Sequence, residues 1–264
     1  MSTISERFTL ACTNDSVDEI RLILADCTTT ASALQDHPLQ EGLTVAAQNG
    51  NSTIVKYLLG NGFIMSPDVI IAASKSQSVE VFQAMIDSGW NINQSAGHTG
   101  DALSHAVAAD RTMLTKWLLE HGANPNENYR SETWTCLDLG VIHASPQTVE
   151  LLLEHGANKQ NANSLILASF YGRIDMIDLL LDHGVDIDEI PDNDLTHDSQ
   201  REKGLGNALH IGAREGREDV VRCLLRRGAD KAITDSLHRT ATDLAKMNGH
   251  NAVVELLQDT EDMV

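Results

Sequence analysis

Eleven histidines and a run of aspartates are the residues of this 264-residue chain with the most obvious chemical potential. Asp186, Asp188, Asp192 and Asp194 lie close together, and a calcium loop needs oxygen ligands at alternating positions, Gly at the sixth and a bidentate Glu at the twelfth. Counted from Asp186, those two positions hold Pro191 and His197. The pattern fails, and a solvated acidic loop is the expectation. His121, His155 and His183 each directly precede a glycine at the end of a helical pattern, where an imidazole complements the helix dipole. No HExxH and no paired Cys/His spacing of a zinc site occurs. A Gly-rich phosphate loop and a GxSxG elbow are absent too. Cys12, Cys27, Cys136 and Cys223 are scattered without close spacing. Cys12 and Cys223 fall where small or apolar side chains belong, as ordinary core thiols do. These residues name no reaction, and no metal or cofactor is expected.

The elements that carry them are short and alike. From Gly206 the chain reads GNALHIGAREGREDVVRCLLRRGAD. Asn207 stands where an N-cap belongs. Leu209, His210, Gly212 and Ala213 give a first small-residue face, and Glu215-Gly216-Arg217 interrupts it. Val220, Val221, Leu224 and Leu225 then recur at helical spacing, and Gly228 follows where a positive φ closes a helix. Such a helix–turn–helix is too thin to bury its own apolar face. The closing glycine recurs at Gly62, Gly89, Gly122, Gly156, Gly184 and Gly228, in steps of 27, 33, 34, 28 and 44 residues. The small residue of the first helix recurs at Ala11, Ala46, Ala72, Ala106, Gly140, Ala168, Gly212 and Ala245.

With a period near 33, TCLDLG from Thr135, NALHIGA from Asn207 and EHGAN from Glu120 and Glu154, the chain resembles the ankyrin repeat. Asp or Asn stands for the usual Thr before some first helices (Asp101, Asn207), which resembles divergent repeats of filamentous fungi. The resemblance implies an all-α solenoid of about eight helix-turn-helix units with short hairpin-like turns, forming one domain over residues 1–264. Its N-terminal cap is expected at about 1–38, internal repeats at 39–235 with an inserted acidic loop at 187–203, and a C-terminal cap at 236–264. In the first unit Phe8, Leu10, Ala11, Val17, Ile20, Leu22 and Leu24 read as the apolar set. Trp117 reads as a core residue in place of Leu. The 27-residue step before the third unit predicts a tight turn over Phe63–Pro67, with Pro67 at a helix start.

Composition narrows the partners. Nineteen Lys and Arg against 38 Asp and Glu give a net charge of −19. That disfavours nucleic acid, whose binding rests on Lys and Arg neutralising phosphate, and it disfavours an anionic membrane surface. No apolar run approaches the roughly 18 residues of a membrane span, and no signal peptide is recognisable. A soluble, reduced, cytoplasmic or nuclear protein is the expectation.

In an ankyrin repeat, the two residues after the small pair of the first helix and the tips before that helix line the concave face. The resemblance therefore implies a binding surface at Ile142 and His143, Phe170 and Tyr171, Arg214 and Glu215. The tips add His98, Tyr129, Arg130 and Trp134. Four aromatic residues (Tyr129, Trp134, Phe170, Tyr171) are expected to meet there, as at an interaction hot spot. Against this stands packing of Phe170 and Tyr171 beneath the next hairpin. Non-catalytic recognition of a protein or peptide is the expected function. The alternative is a small-molecule-binding or catalytic pocket built from Trp134, Tyr171, His143, Asp138 and His98.

Overall fold

The computed structural model describes residues 3–26, 37–127, 134–159, 163–190 and 204–259. They fall into two compact units, Met1–Glu132 and Thr133–Val264, each a stack of four helix pairs. The first unit pairs α1 (Ile4–Thr13) with α2 (Val17–Asp26), α3 (His37–Gln48) with α4 (Ser52–Gly60), α5 (Pro67–Ser76) with α6 (Val79–Asp87), and α7 (Ala102–Ala108) with α8 (Thr112–Glu120). The second pairs α9 (Cys136–His143) with α10 (Pro146–Glu154), α11 (Asn163–Tyr171) with α12 (Ile174–Asp182), α13 (Ala208–Arg214) with α14 (Glu218–Arg226), and α15 (Ala241–Met247) with α16 (Asn251–Gln258). Within each unit, first helices pack on first helices and second helices mostly on second helices. Among the described residues there is no strand, though a bridge between Thr234 and Thr240 closes the tip before α15. No described helix is long and apolar enough to cross a membrane.

Local chemistry explains where the helices start and stop. Asp101, Thr135, Asn207 and Thr240 each accept from the main-chain N–H three residues on, while the side chain at that third position turns back to the cap. This reciprocal arrangement satisfies two N–H groups that a helix start otherwise leaves unpaired. Pro67 occupies the first turn of α5, as its missing N–H allows. At the other end, Gly228 takes φ +93, a conformation that an L side chain rarely adopts. Two of the histidines before the closing glycines act by hydrogen bonding. Nδ1–H donates to the last-turn carbonyl of Trp117 from His121 (2.7 Å) and of Leu151 from His155 (2.8 Å).

The core follows the repeats, with three corrections. Leu10 and Leu22 are 59% and 62% exposed. The first repeat instead buries Phe8, Ala11 and Cys12 from α1 and Ile20 and Ile23 from α2. Adjacent helical residues differ by about 100° around the axis, so the buried arc of α1 takes Phe8, Ala11 and Cys12 and leaves Leu10 outside it. Trp117 is half-buried rather than in the core, its ring stacked on His121 at 3.8 Å between centroids. Cys12, Cys136 and Cys223 are buried free thiols, and burial pushes Cys12 up to about 12. Cys27 lies outside the described residues.

Neighbouring repeats are tied by side chains that reach main-chain groups. Asn51 donates to the Cys12 carbonyl (2.7 Å) and Asn93 to that of Gly122 (3.2 Å). Arg173 donates to the carbonyls of Val141 (3.2 Å) and Ala144 (2.9 Å) while its guanidinium is held by Asp175. His210 and His250 donate through Nε2 to the carbonyls of Arg239 (3.1 Å) and Arg214 (3.0 Å). The acidic loop begins inside this scheme. The Asp188 carboxylate accepts from the Asp230 N–H (3.1 Å) and from Asn207 Nδ2 (3.4 Å), so this first part of the expected 187–203 loop is a structural contact. Residues 191–203 lie outside the described part of the chain. On the second helices, Arg227 bridges Asp178 (2.9 Å) and Asp182 (2.6 Å).

Candidate functional site

The candidate surface is the first-helix face of residues 133–264. Gly140, Ala168, Gly212 and Ala245 are buried at equivalent points of α9, α11, α13 and α15, which pack in that order. Close packing demands the small size. A Cβ on Gly212 would stand 3.0 Å from Val220 Cγ1 and 3.3 Å from Val221 Cγ2 of α14. Two residues further along each helix the chain turns toward solvent. There stand Ile142, half-buried; Phe170, 39% exposed; Arg214, half-buried; and Met247, 67% exposed. His143, Tyr171, Glu215 and Asn248 form the adjoining row, in which Tyr171 is 43% exposed.

The rows rest on an apolar floor. Ile166 lies one turn before Phe170, Ile211 one turn before Arg214, and the two are packed together and buried. Above them Phe170 and Tyr171 meet edge to face, with centroids 5.2 Å apart and planes at 86°. Such a pair gives about 0.5–1.5 kcal/mol beyond its area burial and fixes both rings. Toward the C-terminal end, Arg214 donates through Nε to Glu215 (3.0 Å). A depression of about 360 Å³ is lined there by Arg214, Glu215, Arg239, Leu244, Met247 and Asn248. Arg239 is held rigidly, donating to the Asp235 carboxylate through Nε (2.8 Å) and Nη2 (2.6 Å). Burial pushes the Asp235 pKa up, but the Arg239 guanidinium and the main-chain N–H groups of Arg239 and Leu237 outweigh it and hold the carboxyl below its ordinary value.

Of the residues expected at the site, the structure joins Phe170 to Tyr171 and sets Ile142, Phe170 and Arg214 in one row. His143 is exposed beside them. Trp134 stands at the tip before α9, 37% exposed. Tyr129 and Arg130 lie outside the described residues. His98 is exposed in a short turn, Gly97–Thr99, of the other unit. Asp138 is not presented to solvent: it is 3% exposed. Its carboxylate accepts from Ser164 Oγ (2.7 Å) and from the Thr135 N–H (3.1 Å). Burial raises its pKa against the opposing effect of those bonds, so it is a structural carboxyl within the α9 cap.

Two features escape the sequence reading. Met247 and Asn248 occupy the two outward slots of the last first helix, and counting two residues on from Ala245 finds them. In residues 1–132, the face between α3 and α5 holds a cavity of about 510 Å³, lined in part by Gln40, Thr44, Gln48, Ile64 and Lys75. Its lining mixes polar side chains with Ile64, Ile71 and Ala72, and the mixture leaves little periodic signal. Among the described residues, no cluster of His, Cys, Asp and Glu could hold a metal ion.

Stacked helix pairs with an exposed row on their first helices define a helical repeat protein. The family follows directly. Models of ankyrin repeats match residues 43–129, 69–163 and 165–225, and the chain belongs to the ankyrin repeat family. It is similar to the human SH3 and multiple ankyrin repeat domains protein 2, with 26% identity over 73% of this chain and 10% of that protein. Protein glp-1 of Caenorhabditis elegans is 31% identical over 65% of this chain and 14% of its own length. The cyclin-dependent kinase inhibitor 2A of Monodelphis domestica is 27% identical, covering 61% of this chain and 71% of that one. The chain thus spans about a tenth and a seventh of the first two relatives. These animal relatives give the fungal resemblance no support. The human ASB11 ankyrin repeat domain has a TM-score of 0.63 at 20% identity, covering 83% of this chain and 99% of that one. At that identity the likeness concerns the fold alone. Ankyrin repeat proteins are in general protein-interaction scaffolds.

Proposed function

We propose that this chain is a non-catalytic binding protein that recognises a protein or peptide partner on the first-helix face of residues 133–264. The observation that carries the reading is the Phe170–Tyr171 pair, two aromatic rings held edge to face on a buried floor yet about two-fifths exposed. A rigid, half-desolvated aromatic pair loses little conformational freedom on binding, which is why such residues anchor interfaces. Ile142 and Arg214 extend the surface along the row, and His143 and Trp134 form its rim.

The test compares wild type with Phe170→Ala and Tyr171→Ala. A fully buried Phe contributes roughly 1.5–3 kcal/mol, so a ring with this exposure should cost about 1–2 kcal/mol of stability when truncated. Capture of partners from a lysate of the source organism, followed by affinity measurement on the isolated partner, should show a loss of about 2 kcal/mol or more. Variants that unfold outright, or bind the partner like wild type, sink the reading. Turnover of a co-purifying metabolite that disappears in His143→Ala would replace it with a catalytic one.

A further inference from the structure

The outward row orders its chemistry along the stack: Ile142, Phe170, Arg214, Met247. Their helices are neighbours in that sequence, and neighbouring helices lie about 8–10 Å apart. An extended peptide advances about 3.3 Å per residue, so one step of the row corresponds to about three peptide residues. Arg214 is the only cation in the row. Its Nε is taken by Glu215, and neither Nη has a protein partner among the described residues. Arg214 lines the 360 Å³ depression together with Met247 and Arg239, whose guanidinium Asp235 fixes.

The distribution of charge favours one kind of occupant. Residues 1–203 hold 11 Lys and Arg against 28 Asp and Glu, whereas residues 204–264 hold eight against ten. An acidic ligand is repelled by most of the chain and meets a nearly balanced segment, with Arg214 and Arg239, only near the depression. Long-range fields of this kind steer association and orient the ligand. A second copy of the chain, itself carrying −19, is disfavoured by the same repulsion.

We propose that the row binds an extended peptide with an aliphatic or aromatic residue over Phe170 and Tyr171, an Asp or Glu three residues on paired with Arg214, and a second apolar residue three further on against Met247. The carboxylate takes the Nη edge that Glu215 leaves open, and the flanking side chains cover the aromatic pair on one side and Met247 and Leu244 on the other. This inference rests on the proposed binding function and names the chemistry of its partner.

The test selects a display library of random twelve-residue peptides on the full chain, then measures end-blocked, fluorescein-labelled copies of the enriched peptides. Enrichment of an acid three residues from an apolar anchor is expected. Replacing that acid by its amide, or the protein's Arg214→Gln or Met247→Ala, should each weaken binding about tenfold, with an unchanged melting curve for Arg214→Gln. Peptides that lack an acid, or that bind Arg214→Gln as tightly as wild type while failing on Phe170→Ala, overturn the acidic-peptide inference and leave the binding surface standing. Peptides indifferent to Phe170 and Tyr171, or no enrichment at all, overturn both.

Discussion

Replacing Asn207 by alanine removes two roles at once. The side chain is fully buried. Its Oδ1 accepts from the His210 N–H at 3.2 Å, and its Nδ2 donates to Asp188 at 3.4 Å. An N-cap alone contributes about 1 kcal/mol. Here the abandoned N–H is buried, and an unsatisfied buried donor costs about 1–3 kcal/mol, so Asn207→Ala should lose about 2–3 kcal/mol. Serine restores a cap oxygen but lacks the donor that reaches Asp188. That bond is long and partly exposed, so Asn207→Ser should lose about 0.5–1 kcal/mol. Asp188→Ala should lose about 1 kcal/mol, because the Asp230 N–H also loses its acceptor. A double-mutant cycle between Asn207→Ser and Asp188→Ala should return a coupling of about 0.5–1 kcal/mol, since serine has already broken their bond and Asp188→Ala then costs less than it does beside wild-type Asn207. Urea unfolding followed by circular dichroism measures the wild type, the three single variants and the double one. Equal losses for Ala and Ser would refute the capping assignment, and a neutral Asp188→Ala would detach the start of the acidic loop from the stack.

Arg173→Ala should lose about 1–2 kcal/mol by freeing the carbonyls of Val141 and Ala144 at the end of α9. Arg173→Lys should recover only part of it, since an ammonium lacks the planar fork, and thermal unfolding of the three chains decides. With its thiol at about 12, Cys12 should be thiolate in only about one molecule in 10⁴ at pH 8. Its alkylation should therefore track unfolding in denaturant, and rapid labelling of the native protein would contradict the buried assignment. Asp235 is depressed in the folded state relative to 3.8. Its contribution to stability should be intact above about pH 3.8 and vanish as pH falls through the folded value. Asp235→Asn should flatten that part of the acid unfolding curve, and an unchanged curve would show that the Arg239 pair is not what holds the last tip.

What could be read in advance follows from which forces are local. Caps at Asp101, Thr135, Asn207 and Thr240, the turn at Pro67 and the closing glycines each depend on a few consecutive residues, and all lie where their types demand. The outward slots at Ile142, Phe170 and Arg214 followed from the small residue two positions earlier. Burial of Leu10, Leu22 and Trp117 was misjudged because helical spacing cannot say which of two adjacent apolar residues faces a neighbour. The role of Asp188 was hidden for a different reason. Its partners are 19 and 42 residues away, and a run of aspartates looks the same whether solvated or bonded. Of the four aromatics expected together, Tyr129 lies outside the described residues, Phe170 touches Tyr171, and Trp134 stands at a tip.

Most of the polar ties between repeats end on main-chain atoms: the carbonyls of Cys12, Gly122, Val141, Ala144, Arg214 and Arg239, and the N–H of Asp230. Every residue type carries a carbonyl, and every type but proline an N–H, so the receiving side of each joint survives almost any substitution. One repeat can then drift in sequence without forcing a matching change next door, as a side-chain pair such as Arg227 with Asp178 would require. Such joints let outward residues change while the stack keeps its register, and they tolerate duplication of a repeat beside its parent. Divergence to 20% identity with a retained fold is what such an architecture permits.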